Sequence, residues 1–97
     1  MSKPLSKKVI VVTGGTGVLG GSFVHAIAKA GGKVCVLGRN EVIAKKRCAE
    51  IETAGGIALP VICDVMQTDQ LESACDLILK TFGRIDGLVN GAGGNIP

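Results

Sequence analysis

The chain has 97 residues, room for one domain spanning 1–97, and a chain this size buries about 60–68% of its unfolded surface. Its 46% hydrophobic and 20% charged content excludes a disordered chain. The net charge of +3 arises partly from Lys3, Lys7 and Lys8, with no continuous basic stripe; with no Trp, no Tyr and 2 Phe, stacking on nucleic acid is not expected.

Val9–Thr13 is a short β-branched run with continuous rather than alternating apolar residues, which predicts a strand buried on both faces. A glycine-rich stretch follows, and Leu19, Phe23, Ala26, Ile27 and Ala30 then recur at helical spacing until Gly31-Gly32. Lys33–Leu37 is a second buried strand. Asn40 suits the N-cap of a second helix with apolar face Ala44, Cys48 and Ile51, ended by Gly55-Gly56. Ile57–Cys63 is a third strand, and Pro60 suggests a sheet edge because it donates nothing to a ladder. Thr68 is the expected cap of a third helix with Leu71, Ala74, Cys75, Ile78 and Phe82 on one face, closed by Gly83. Ile85–Asn90 is a fourth strand.

This β-α-β-α-β-α-β alternation implies an α/β fold of Rossmann type, a three-layer parallel sheet with right-handed crossovers. The simplest strand order is 3-2-1-4, with a ligand crevice at the strand carboxyl ends, where the order reverses.

Chemistry concentrates in the turn Thr13-Gly-Gly-Thr-Gly-Val-Leu-Gly20. Gly14 permits a tight turn off the strand, Gly17 lets backbone approach a pyrophosphate, and Gly20 lets helix pack on strand. The pyrophosphate of a dinucleotide then meets free N–H groups at the positive end of a helix. No Gly-Lys-Ser/Thr follows, which disfavours a P-loop. Gly38 stands where an NAD-preferring domain places an acid, and Arg39 follows it. A guanidinium pairs with a 2′-phosphate in a forked contact that a carboxylate would repel, so NADP(H) is favoured over NAD(H); alternatively Arg39 is an exposed residue beside a helix cap.

These motifs together resemble the N-terminal part of the short-chain dehydrogenase/reductase family, over nearly all of residues 7–95. Gly14–Gly20 resembles its Thr-Gly-x-x-x-Gly-x-Gly turn, Asp64-Val65 its adenine-contacting Asp-Val/Leu pair, and Asn90-Gly-Ala-Gly93 its Asn-Asn-Ala-Gly motif. Two features depart from the main subclass: the middle glycine is Gly17 with Val18 after it, a spacing seen in the extended subclass, and Gly91 replaces the second Asn. Within the family the chain looks most like the D-mannonate oxidoreductase (fructuronate reductase) group.

The resemblance implies an NAD(P)-dependent oxidoreductase acting on a small-molecule carbonyl or alcohol, a class that includes sugar acids. Cofactor contacts are expected from Gly14, Thr16, Gly17, Val18, Leu19 and Gly20 of the turn and from Arg39 and Asn40. Asp64 is expected on the adenine amino group and Val65 on its ring, unless Asp64 is only a turn residue. Asn90 ties neighbouring loops and borders the cofactor, while the small Ala92 and Gly93 let a ribose lie over the backbone. The family's Tyr-x-x-x-Lys has no counterpart here, since the chain holds no Tyr. Members are generally more than twice as long, so the chain is expected to be a cofactor-binding part, inactive alone, without a catalytic residue of its own. The alternatives are a stand-alone nucleotide-binding module, or another Rossmann-like enzyme such as a methyltransferase or a flavin enzyme.

Cys35, Cys48, Cys63 and Cys75 form no C-x-x-C pair, lie among apolar residues and accompany one histidine, His25, so free buried thiols are expected and a zinc site is not. His25 has no carboxylate near it in sequence and reads as a surface or packing residue. Met1–Lys8 is polar and Val9–Val12 is too short for a signal peptide or membrane span, which implies the cytoplasm and no membrane partner. An unpaired edge at the fourth strand is expected to promote homo-oligomers.

Overall fold

The structure is a computed structural model that describes residues 4–14 and 18–90, with residues 18–20 described by backbone alone. Among the described residues seven elements alternate: β1 (Val9–Thr13), α1 (Val18–Lys29), β2 (Lys33–Gly38), α2 (Glu41–Thr53), β3 (Ile57–Ile62), α3 (Thr68–Phe82) and β4 (Gly87–Asn90). The four strands form one parallel sheet ordered β3-β2-β1-β4, the expected arrangement. No helix of the described residues is long and apolar enough to cross a membrane.

Strand side chains alternate between two apolar layers. Val12, Val34, Val36 and Ala58 face α1 and α2, where they meet Val24, Ala44, Cys48 and Ile51. Val9, Val11, Cys35, Leu37, Val61 and Cys63 face α3, where they meet Ala74 and Ile78. Burial on both faces explains why β1 and β2 read as continuous apolar runs. Pro60 lies opposite Val36 on β3, which is an edge strand as expected.

The paired glycines have separate tasks. Gly31 and Gly55 take φ of 95° and 93°, the left-handed region that ends a helix. Their N–H groups donate to Ala28 O and Glu52 O, while those of Gly32 and Gly56 donate to Ile27 O and Ile51 O at 3.0 and 2.9 Å. The second glycine is needed for space, because a Cβ at Gly56 would lie 2.7 Å from Cγ2 of Ile51. The same double bond pattern at both helix ends produces the recurring Gly-Gly pair.

Five details differ from the sequence expectations. The inward face of α1 is Gly21, Val24, Ile27 and Ala28, while Phe23 is 40% exposed. Helix phase here follows contact with α2 and the sheet, not side-chain size. Thr68 is the first helical residue of α3 rather than its cap, and the cap Gln67 makes no side-chain capping bond. The β3 ladder ends at Ile62, although Cys63 N still donates to Gly38 O at 2.9 Å. β4 starts at Gly87 because Asp86 turns its carboxylate onto β1, accepting from Val9 N at 2.7 Å, while its own N–H donates to Val9 O. Cys75 is exposed on the flank of α3, whereas the other three thiols are buried.

Candidate dinucleotide-binding site

The carboxyl ends of the four strands bring distant segments to one rim of the sheet. β1 ends at Thr13, directly before the glycine-rich turn, and Gly14 takes φ 67°, the left-handed conformation that a tight exit from the strand requires. The backbone enters α1 at Val18, and the first turn of that helix carries no acidic residue. Its positive end is therefore not neutralised from within, as an anion cradle needs. Thr16 and Gly17 lie outside the described residues, and Val18, Leu19 and Gly20 are placed only as backbone of α1.

β2 delivers Gly38, which is buried, and then Arg39, which is exposed and has no ion-pair partner among the described residues. Asn40 does cap α2, its Oδ1 accepting from Ile43 N at 3.1 Å. That bond commits the side-chain oxygen of Asn40 to the helix.

β3 delivers Asp64 and Val65 into a self-locked loop. Asp64 Oδ1 accepts from Met66 N at 3.0 Å, an Asx turn, and Asp64 N donates to Oε1 of Gln70 at 2.9 Å. Gln67 N donates to Asp64 O. Gln70 was not singled out from the sequence; the available signal is a Gln at the third helical position, which commonly reaches back to the preceding backbone. Val65 is 38% exposed and borders an apolar cavity of about 250 Å³ whose walls include Thr13, Leu37, Leu71, Cys75 and Leu88.

β4 delivers Asn90 opposite Thr13. Thr13 Oγ1 donates to Asn90 Oδ1 at 3.1 Å, so the last residues of the adjacent strands β1 and β4 are tied side chain to side chain. Thr13 is a second residue that sequence reasoning passed over, although it stands at the head of the turn. Ala92 and Gly93 lie outside the described residues. The structure thus brings Gly14, Arg39, Asn40, Asp64, Val65 and Asn90 to one end of the sheet.

His25 lies away from this rim, on α1, and its Nε2 sits 3.2 Å from Oε1 of Glu50 on α2. The carboxylate that sequence proximity did not supply comes from 25 residues away, in a pair that is half exposed on both sides. A second cleft, about 610 Å³, lies at the opposite rim, where Lys29, Lys33 and the paired glycines meet. Its floor is the carboxyl ends of α1 and α2, which present carbonyl oxygens rather than N–H groups, so it lacks the polarity of a pyrophosphate cradle.

Residues 8–97 match the short chain dehydrogenase family. The chain belongs to that family. It is 43% identical over 93 residues to the uncharacterized oxidoreductase UxuB of Bacillus subtilis, covering 96% of this chain and 34% of UxuB. Among solved structures, a Haemophilus influenza protein assigned as a D-mannonate oxidoreductase, with bound NAD, superposes with a TM-score of 0.89 at 33% identity, over 96% of this chain and 33% of that one. A metagenomic short-chain oxidoreductase in complex with NADP gives a TM-score of 0.82 at 30% identity, over 87% of this chain and 38% of that one. The chain spans about a third of the length of the curated relatives it matches. Its sheet order is that of a short-chain dehydrogenase Rossmann fold.

Proposed function

We propose that the chain forms the dinucleotide-binding part of an NAD(P)-dependent oxidoreductase that exchanges hydride with a small-molecule carbonyl or alcohol. One observation carries this reading: Gly14 turns off the central strand, and α1 begins at Val18 with no acid in its first turn, at the end of the sheet where Arg39, Asp64, Val65 and Asn90 converge. The residues fit a dinucleotide. The turn and helix start suit a pyrophosphate, the cavity beside Val65 is lined by apolar atoms and suits an adenine face, and the exposed Arg39 suits a 2′-phosphate. Asp64 keeps acceptor capacity beyond its Asx turn for the adenine amino group. Asn90, locked to Thr13, acts through the shape of the rim. Thr16, Gly17, Val18, Leu19, Gly20, Ala92 and Gly93 complete the proposed contact set.

When bound, the nicotinamide supplies or accepts the hydride; the acid/base group that must handle the alcohol proton is not a tyrosine of these residues, because there is none. The likeness to the D-mannonate oxidoreductase supports a sugar-acid substrate. NADP(H) is the preferred cofactor on the strength of Arg39. The competing preference, NAD(H), is favoured by the Haemophilus protein, which holds NAD.

Fluorescence titration of NADPH and NADH into the purified protein, with Arg39→Asp alongside, tests both levels. The expected result is tighter NADPH binding and a swing of the affinity ratio by about ten- to a hundredfold toward NADH in the variant, a change of about 1.4–2.8 kcal/mol. Tighter NADH binding with no change in Arg39→Asp overturns the cofactor preference. No binding of either dinucleotide overturns the functional reading itself.

A further inference from the structure

Gly21 stands one residue beyond the glycine-rich turn, buried in the first turns of α1. The space a side chain would fill is taken by the guanidinium of Arg47, from the middle of α2. A Cβ at Gly21 would lie 2.6 Å from Cζ of Arg47 and closer still to Nη1. Nη2 would be 3.1 Å away, so the group faces the α1 backbone with both terminal nitrogens. Arg47 is half-buried, in contrast to its neighbours Lys45 and Lys46, which are exposed.

The placement has two physical consequences. A planar cation seated in a notch that only glycine leaves open fixes the approach of α2 to the start of α1, and so the position of the turn before it. It also holds a permanent positive charge beside a helix start whose first turn contains no acid. A half-buried charge is screened less than one in open solvent, so its field reaches bound phosphates more effectively than that of a mobile surface lysine. Arg39 stands at the ribose end of the rim, whereas Arg47 stands behind the helix that would receive the pyrophosphate.

We propose that Arg47, seated in the Gly21 notch, is a positioning residue for the dinucleotide: it fixes the α1 start and adds a half-buried positive charge behind the pyrophosphate. The proposal rests on the dinucleotide reading above. Because the pyrophosphate is common to both cofactors, Arg47 strengthens NADPH and NADH binding equally, unlike Arg39.

The test is a titration of NADPH and of NADH into wild type, Arg47→Met, Arg47→Lys and Gly21→Ala at low and moderate salt, with thermal unfolding of each variant in parallel. Arg47→Met keeps the stem and removes the charge. It is expected to weaken both cofactors by about three- to tenfold, with a shallower salt dependence, while Arg47→Lys restores part of the loss. Gly21→Ala is expected to weaken both by displacing the guanidinium. If Arg47→Met lowers only the melting temperature and leaves both affinities and their salt dependence intact, the residue is merely structural and the proposal is overturned. A loss confined to NADPH also overturns it. Wild type that binds neither cofactor refutes the dinucleotide reading and this inference with it, whereas wild-type binding with unaffected variants refutes the inference alone.

Discussion

The two faces of the sheet are built from the same alternating strands but are covered to different extents. On the face of α1 and α2, Val12, Val24, Val34, Val36 and Ala44 are wholly buried. On the face of α3 the centre is equally dry, with Val9 and Cys35 fully buried, but apolar surface continues past the helix to Ile85 and to Leu88, which is 68% exposed. One helix covers the β1–β2–β3 part of that face, and β4 pairs only with β1 among the described strands. The closed face stabilises the fold, while the open face leaves room for the cavity beside Val65.

The sharpest way to break this comparison is to remove the same kind of atoms from each face. Ile51→Ala, on the closed face, is expected to cost about 2–5 kcal/mol, whereas Leu88→Ala is expected to stay within about 0.5 kcal/mol in denaturant unfolding. Equal costs would mean that the two faces are covered alike. A smaller effect is expected at the helix ends. Gly55→Ala meets nothing within 4 Å, so its cost of about 1–2 kcal/mol comes from the left-handed backbone alone. A calorimetric stability equal to wild type would show that the helix end relaxes out of that conformation.

A further expected effect concerns pH and sharpens the contrast between dry centre and open rim. Burial pushes the Cys35 thiol on the α3 face up to about 12 and the Cys48 thiol on the other face up to about 11, from an ordinary value of 9.0. Nearby charge, from Cys48 and Glu52 respectively, adds to each shift. The unfolded chain therefore loses these protons first as pH rises. Stability is retained below about 9 and falls between 9 and 12, which denaturant titrations at stepped pH would reveal. Thiol labelling near neutral pH is expected to modify the exposed Cys75 while sparing Cys35 and Cys48. Rapid labelling of Cys35 would show that the centre of the α3 face is wet.

The sequence was most legible where structure is local. The runs Val9–Thr13 and Lys33–Leu37, the glycine pairs and the Asn40 cap each follow from a few adjacent residues, and each lies where expected. Helix phase was less legible. Phe23 and Cys75 fit an apolar helical spacing, yet both are exposed, because their neighbours Val24 and Ala74 take the buried positions. Periodicity marks a stripe within about one residue, 100° of rotation, and only contact with the sheet selects the phase.

The sequence alone therefore determined the element order, the parallel sheet and the family, because burial pattern, turn chemistry and the Gly14, Asp64 and Asn90 motifs are written in consecutive residues. Only the tertiary structure decided the pairings between distant segments. Thr13 with Asn90 and Val9 with Asp86 are 77 residues apart, His25 with Glu50 are 25 apart, and Gly21 meets Arg47 across two helices. Such contacts depend on how whole elements approach one another, and that distance is fixed by packing, which no local pattern of residues encodes.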